Sequence, residues 1–431
     1  MEQFDVVVVG ARCAGSPLAT MLARRGLRVC LLDRARFPSE TPSTHVIQPC
    51  GVQMLDHLGV LERILMAGAV PIDRFTLVND DVRIDATLDP ATGEQPGLCV
   101  RRVTLDALLV DAAGDAGADV RTASRVTGLI SVDGRVTGVE TDTGRIGAQL
   151  VVGADGRHST VASCVGAEEY HVAPPGRMPA WAYFEGVDDR EGRLRLGRMG
   201  ELAFLASPTD GDLYMAGITM GVANQAEFHA DRDANFTAGI AAWPELADVL
   251  AGGRRVGPIR VMTNWHGYFR QAAGPGWVLV GDAGHFKDFT PAQGISDALR
   301  QAERLAQAIE DGLGNSSLDA ATQRWWRWRD HDAYEMHWFA TDLGAPGHSS
   351  PLITRVLGDI AVDAEATRTL LRVLNHEVRP SQLFTTPRLA RAAARALRDR
   401  PDRMVATLKE IATAARDQVR RARRRRNPMR P

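Results

Sequence analysis

The chain has 431 residues, 45% of them hydrophobic and 24% charged, with a formal net charge of −2. That length allows two or three globular domains, and the near-neutral balance argues against nucleic acid or an acidic membrane surface as a partner. No apolar run reaches the roughly 18 residues of a membrane span.

Residues 6–9 are a continuous valine run, as expected of a strand buried on both faces of a parallel sheet. Residues 10–15 form a tight small-residue turn. Residues 14–25 have helical spacing, with Leu18, Met21 and Leu22 on one face, Arg24 and Arg25 in the last turn and Gly26 as the C-terminal cap. Residues 27–32 are a second apolar strand, and Asp33 stands at its end. Strand, turn, helix, strand and acid in one register make a dinucleotide-binding unit. The turn sets backbone N–H groups and the positive end of a helix under a pyrophosphate, and the acid takes ribose hydroxyls. The simpler alternative is an ordinary βαβ unit with a small turn. Arg12 stands where G-x-G-x-x-G has its middle glycine. Its guanidinium either clashes with the pyrophosphate or lies along it as a charge-assisted fork, and the fork is the reading adopted.

Pro38, Pro42 and Ser43 mark a loop, followed by a helix over 51–64 interrupted near Gly59. Short strands are predicted at 74–78 and 82–88, and a helix at 105–113 with Thr104 as its N-cap. Strand–turn–strand segments follow at 119–131 and 135–141, joined through Asp133-Gly134. Residues 150–154 are another buried strand. From 178 to 265 the period is close to two, which predicts an antiparallel sheet with one covered face. A buried strand at 277–280 and helices over 296–313 and 318–340 come next. After Pro346 the chain reads as helices, ending in a basic tail, RRARRRRNPMRP. A solvated, frayed terminus is the reading of that tail, with contact to nucleic acid or an acidic partner as the alternative.

Five scattered cysteines (Cys13, Cys30, Cys50, Cys99, Cys164) without a C-x-x-C pair predict reduced thiols and no metal site. With a start directly in a strand, they predict a cytoplasmic protein without a signal peptide. Lysine occurs only at Lys287 and Lys409.

Three further stretches carry chemistry. CVRRVTLD (99–106) places paired arginines before a helix. VVGADGRHSTV (151–161) ends a buried strand in Gly-Ala-Asp-Gly, with Ser159 placed to cap a helix. WVLVGDAGH (277–285) ends another in Gly-Asp, and TPAQGIS (290–296) then opens a helix whose N-terminus can face an anionic or electron-rich ring. In order and spacing, these stretches and the opening unit resemble the para-hydroxybenzoate-hydroxylase superfamily of flavoproteins over about residues 4–345. That group includes aromatic monooxygenases, geranylgeranyl reductases and flavin-dependent halogenases. GAR-x-x-AGS, STHVIQPCG, CVRR-x-x-LD and GDAGHFKD–QGISDA are similar to a bacterial subgroup of FAD-dependent oxidoreductases.

The expected architecture is α/β. A discontinuous Rossmann-like FAD-binding domain (1–70, 98–170 and 268–345) carries an inserted antiparallel-sheet substrate domain (71–97 and 171–267), with a helical C-terminal region over 346–431. The resemblance implies FAD as cofactor, and NAD(P)H and O₂ as co-substrates. It implies hydroxylation of a small aromatic or polyketide-like metabolite through a peroxyflavin. An ene reductase, a halogenase or a non-catalytic flavin-binding protein are the alternatives, and the W-x-W-x-I-P motif of tryptophan halogenases is missing. Residue by residue, it implies that Gly10, Ala11, Arg12, Cys13, Ala14 and Gly15 hold the pyrophosphate and that Asp33, with Arg34 beside it, meets the adenosine ribose. Arg102 approaches FAD, the Val126 backbone meets adenine, and Asp155 belongs to a motif touching FAD and NAD(P)H. Gly281 and Asp282 take the ribityl chain, while Gly294 and Ile295 offer N–H groups to the flavin pyrimidine ring. His45, Gln48, His285 and Lys287 are the candidates for the reacting face, with a surface salt bridge to Asp288 as the alternative for Lys287. The family usually carries proline at Phe289 and asparagine at Ser296. Trp325, Trp326 and Trp328 read as core or pocket wall.

Overall fold

The computed structural model describes residues 1–88, 94–315, 317–399 and 404–429. The strand Glu2–Val9 lies in the middle of a parallel sheet, between Gly144–Gly153 and Val29–Leu32, with Trp277–Leu279 and Asp119–Arg121 outside them. Val6, Val7 and Val8 are fully buried. The helix Gly15–Arg24 packs beside the helices Arg102–Asp115 and Gly294–Gly314, and Leu18 and Leu22, one turn apart, fill its core face.

Parallel pairing brings the carboxyl ends of these strands to one edge. Gly10 N–H donates to Leu32 O (2.7 Å), Ala154 N–H to Val9 O (2.7 Å) and Val280 N–H to Gly153 O (2.9 Å). The turns after the strands are therefore neighbours, at the edge where open α/β sheets bind ligands.

A second sheet of seven strands joins Arg74–Asn79 and Val82–Thr87 to four antiparallel strands between Arg177 and Gly221 and an edge strand, Arg254–Val261. The parallel pairing of Arg74–Asn79 with Arg193–Met199 unites the two inserted segments. The period-two reading fails over 225–250, which forms the helices Gln225–Ala230, Arg232–Ala241 and Pro244–Leu250. Phe236, Ile240 and Trp243 recur at helical spacing and pack on Phe204 and Ile218 of the sheet, and Pro244 starts its helix at the position proline tolerates best.

Two other expectations change. The helix expected from 105 begins at Arg102, with Arg101 as N-cap; the Thr104 hydroxyl instead donates to Asp210 (2.5 Å). The basic tail is not a frayed end through residue 429. The helix Met404–Arg425 lies against Leu318–Leu343, where Arg421 pairs with Asp342 (2.5 Å) and Arg425 with Glu335 (2.6 Å). Pro428 O lies 2.6 Å from His171 Nε2. The last two residues of the tail fall outside the described residues. Trp325 is core, its indole N–H donating to Gln301 O (3.2 Å). Among the described residues no helix is long and apolar enough to cross a membrane.

Candidate functional site

The first turn can be built only around a glycine at position 10. Gly10 has φ +104°, and a Cβ there would stand 2.4 Å from Ala154 O. Asp33 holds the turn from the next strand, accepting the N–H of Ala11 (2.8 Å) on one oxygen and that of Ala35 (2.7 Å) on the other. Arg34 is exposed beside it. Ser124 N–H donates to Asp33 O (2.9 Å), so the start of the strand Val126–Val132 lies next to Asp33.

Arg12 does not point a free fork at this turn. One terminal nitrogen donates to Asp106 (2.6 Å) and the other to Ser39 (2.7 Å). Arg102 grips the same carboxylate through Nε (2.8 Å) and Nη2 (3.0 Å), and the Cys13 thiol lies 3.4 Å from it. Asp106 is fully buried. It positions both arginines and leaves the cluster with one net positive charge beside the turn 10–15. No role was read for Asp106 from the sequence, although its i,i+4 spacing from Arg102 is the signal that finds it.

Three more stations complete the edge. Asp155 accepts the Ser159 hydroxyl (2.5 Å) and the Thr160 N–H (2.6 Å), and so caps the helix Thr160–Cys164 together with Ser159. Gly281 N–H donates to Gln301 Oε1 (3.0 Å). The Asp282 carboxylate accepts no hydrogen bond from the described residues; burial raises it to about 6, against the pull of Arg102 and Arg157. Gly294 and Ile295 begin a 21-residue helix with no side-chain cap. A Cβ at Gly294 would meet nothing within 4 Å. An unpaired carboxylate, uncapped helix N–H groups and open space next to them suit a polyhydroxylated linker ending in a ring that takes negative charge.

Residues 3–191 match the model of the FAD binding domain. The chain is 30% identical over 339 residues to 6-methylpretetramide 4-monooxygenase of Streptomyces rimosus, covering 73% of this chain and 77% of that protein. The chain belongs to the para-hydroxybenzoate-hydroxylase superfamily of flavoproteins. Digeranylgeranylglycerophospholipid reductase 1 of Methanococcoides burtonii is 28% identical over 346 residues, 75% of this chain and 80% of the relative. The solved structure of the flavin-dependent brominase Bmp2 aligns with TM-score 0.76 at 19% identity, over 92% of this chain and 100% of that one, a likeness of fold. The protein is thus an FAD-dependent oxidoreductase.

Within this flavoprotein, the structure divides the four reacting-face candidates. His45 meets the inserted sheet, and Gln48 meets the TPAQGIS turn. His45 is fully buried at φ +64°, with Nε2 2.7 Å from the Tyr183 hydroxyl of the inserted sheet. Burial, helped by Arg102, pushes its imidazole down to about 3, so it is neutral. Gln48 N–H donates to Ser296 Oγ (2.9 Å), and its side-chain amide reaches Ala292 O (3.3 Å). The Ser296 departure thus has a structural reason: its hydroxyl binds Gln48 and faces Gly51, where a Cβ would stand 2.7 Å from it. Phe289 packs edge-on against Trp265.

His285 is elsewhere, in an aromatic nest with Phe269 and His337 (ring centroids 4.3 and 5.5 Å), where burial and His337 hold its imidazole well below the ordinary range. That makes it a neutral support. Lys287 is buried and pairs with Asp297 (2.5 Å). The surface bridge to Asp288 is replaced by this contact, because Asp288 turns to the N–H and hydroxyl of Thr290.

Proposed function

We propose that the protein is an NAD(P)H-consuming monooxygenase that hydroxylates a small aromatic or polyketide-like metabolite. The observation that carries this reading is the wall over the flavin loops. Trp181, Phe75, Leu194 and Met215 of the inserted sheet form one buried apolar cluster with Ala292 of the TPAQGIS turn. The 30% identity to a protein named as a 4-monooxygenase supports it.

Bound FAD supplies acceptance of a hydride and activation of oxygen. The protein's own contribution is placement. The apolar wall excludes water and offers flat contact to an aromatic ring. The N–H groups of Gly294 and Ile295 would hold the flavin ring and favour negative charge on it. Asp282 would take a hydroxyl of the linker, and the Arg12–Asp106–Arg102 cluster would offset the charge of the pyrophosphate. Burial keeps both His45 and Tyr183 uncharged, so no side chain at the wall must gain or lose a proton to begin.

The test is isotopic. Holoenzyme, NADH or NADPH and ¹⁸O₂ are incubated with a panel of phenolic and polycyclic aromatic compounds. The expected product gains one labelled oxygen as one equivalent of nicotinamide is oxidised. Nicotinamide consumption that instead saturates a substrate double bond, with no label incorporated, would overturn the proposal in favour of a reductase.

A further inference from the structure

One wall of the flavin site comes from far along the chain, beyond both the FAD-binding match and the stretch of family resemblance. The turn after the helix Ala364–Leu374 sets three consecutive residues against three parts of the site. Leu374 O accepts from Gln293 Nε2 (2.7 Å), Asn375 Oδ1 accepts the N–H of Cys50 (2.8 Å), and His376 Nε2 lies 3.1 Å from Asp297 Oδ1. Gln293 is the N-cap of the helix Gly294–Gly314, Cys50 lies in the first turn of the helix that starts after Gln48, and Asp297 is in the first turn of the flavin helix. His376 is held at φ +61°, a left-handed conformation in which a histidine is uncommon.

The charges at this junction are few and enclosed. Asp297 is flanked by Lys287 on one oxygen and His376 on the other, and all three side chains are at most 14% exposed. Burial works against charge on Asp297, but its two neighbours outweigh that and hold the carboxyl well below the ordinary range. Burial lowers the His376 imidazole. A carboxylate in the first turn of this helix opposes negative charge on a ring at the helix start; Lys287 offsets that charge, and the His376 ring nitrogen, 3.1 Å from the other oxygen, is its polar neighbour.

We propose that the turn 374–376 is a wedge that fixes the two flavin loops, and that His376 is a positioning residue which, through Asp297 and Lys287, sets the electrostatic field at the flavin ring. The proposal rests on FAD occupying this site. Failure of the wild-type chain to bind FAD would sink that reading, whereas the outcomes below bear on the wedge alone.

The test uses full-length holoenzyme and two readouts, the reduction potential of the bound flavin against an indicator dye and the FAD affinity of the stripped protein. His376→Ala removes the polar neighbour of Asp297, so the potential falls and FAD binds roughly 3–10-fold more weakly. His376→Gln, which keeps a donor, restores most of both. Asp297→Asn leaves Lys287 unopposed and moves the potential the other way, upward. Asn375→Ala weakens FAD binding with little change in potential. A mere loss of packing would not give opposite signs at His376 and Asp297. Potentials that stay at the wild-type value, or that move in the same direction in both variants, overturn the proposal. If His376→Ala does not fold, His376→Gln and Asp297→Asn decide it: near-wild-type and raised potentials, respectively, are required.

Discussion

Alanine at two glycines of the site has opposite consequences. At Gly10 it meets Ala154 O at 2.4 Å on a left-handed backbone, so Gly10→Ala costs about 2–4 kcal/mol of stability and unfolds the cofactor turn. At Gly294 it meets nothing in the protein, so Gly294→Ala keeps the melting temperature and, if the flavin ring occupies the space we propose for it, weakens FAD binding about tenfold or more. Flavin titration beside thermal melts checks both; tight FAD binding by Gly294→Ala would move the ring elsewhere. Asp106→Ala strands two arginines without their counter-charge. The apoprotein is expected to lose about 3 kcal/mol, and added FAD to recover part of it, since a pyrophosphate offers the missing anion. Melting curves with and without FAD decide this. Asp282 gives a pH signature. Its carboxyl is raised to about 6 on folding, so the native state binds more protons than the unfolded one across this window. Stability from this group is therefore present below about pH 4 and falls as pH rises through about 6, by about 1–3 kcal/mol. Asp282→Asn apoprotein should gain stability relative to wild type at neutral pH and not near pH 4; an equal difference at both would refute the assignment.

Elements that end in a motif are legible because both signals are local. The valine run before Gly10 and the apolar runs before Asp155 and Asp282 announce buried parallel strands, and parallel pairing by itself gathers their turns at one edge. What escaped the sequence depends on partners far away. The stretch 225–250 sits among strands, and the alternating pattern on either side masks its helical spacing at Phe236, Ile240 and Trp243. Lys287 has Asp288 as its sequence neighbour, but its ion-pair partner is Asp297, in the first turn of the next helix. Asp155 stands in a nucleotide-type motif and yet spends both oxygens on a helix start. The arginine-rich tail reads as solvated in isolation. Its anchors, Asp342 and Glu335, lie on a helix some 80 residues earlier, which no local pattern predicts. Deletion after Val419 removes those pairs and the Pro428–His171 contact, and should lower the melting temperature, by roughly 2–4 °C per kcal/mol lost. An unchanged melting temperature would mean the tail is ornamental to stability.

At the scale of the molecule, the family resemblance, FAD and the layered α/β plan were legible in motif order. The placement of charge was not. Buried pairs and clusters such as Arg12–Asp106–Arg102 and Lys287–Asp297–His376 assemble only when the sheet, the inserted domain and the C-terminal helices close around one edge. That closure leaves the site with neutral histidines, an apolar wall and helix N–H groups, an arrangement suited to flavin chemistry rather than to acid–base work by side chains. The most direct measurement follows the flavin itself. Purified holoenzyme is reduced anaerobically with NADPH or NADH, and air is then admitted while the visible spectrum is recorded. An oxygen-using flavoprotein should bleach, then recover at least as fast as free reduced FAD. A flavin that bleaches and recovers much more slowly than free reduced FAD would contradict the monooxygenase account, and a chain that retains no FAD would contradict the site.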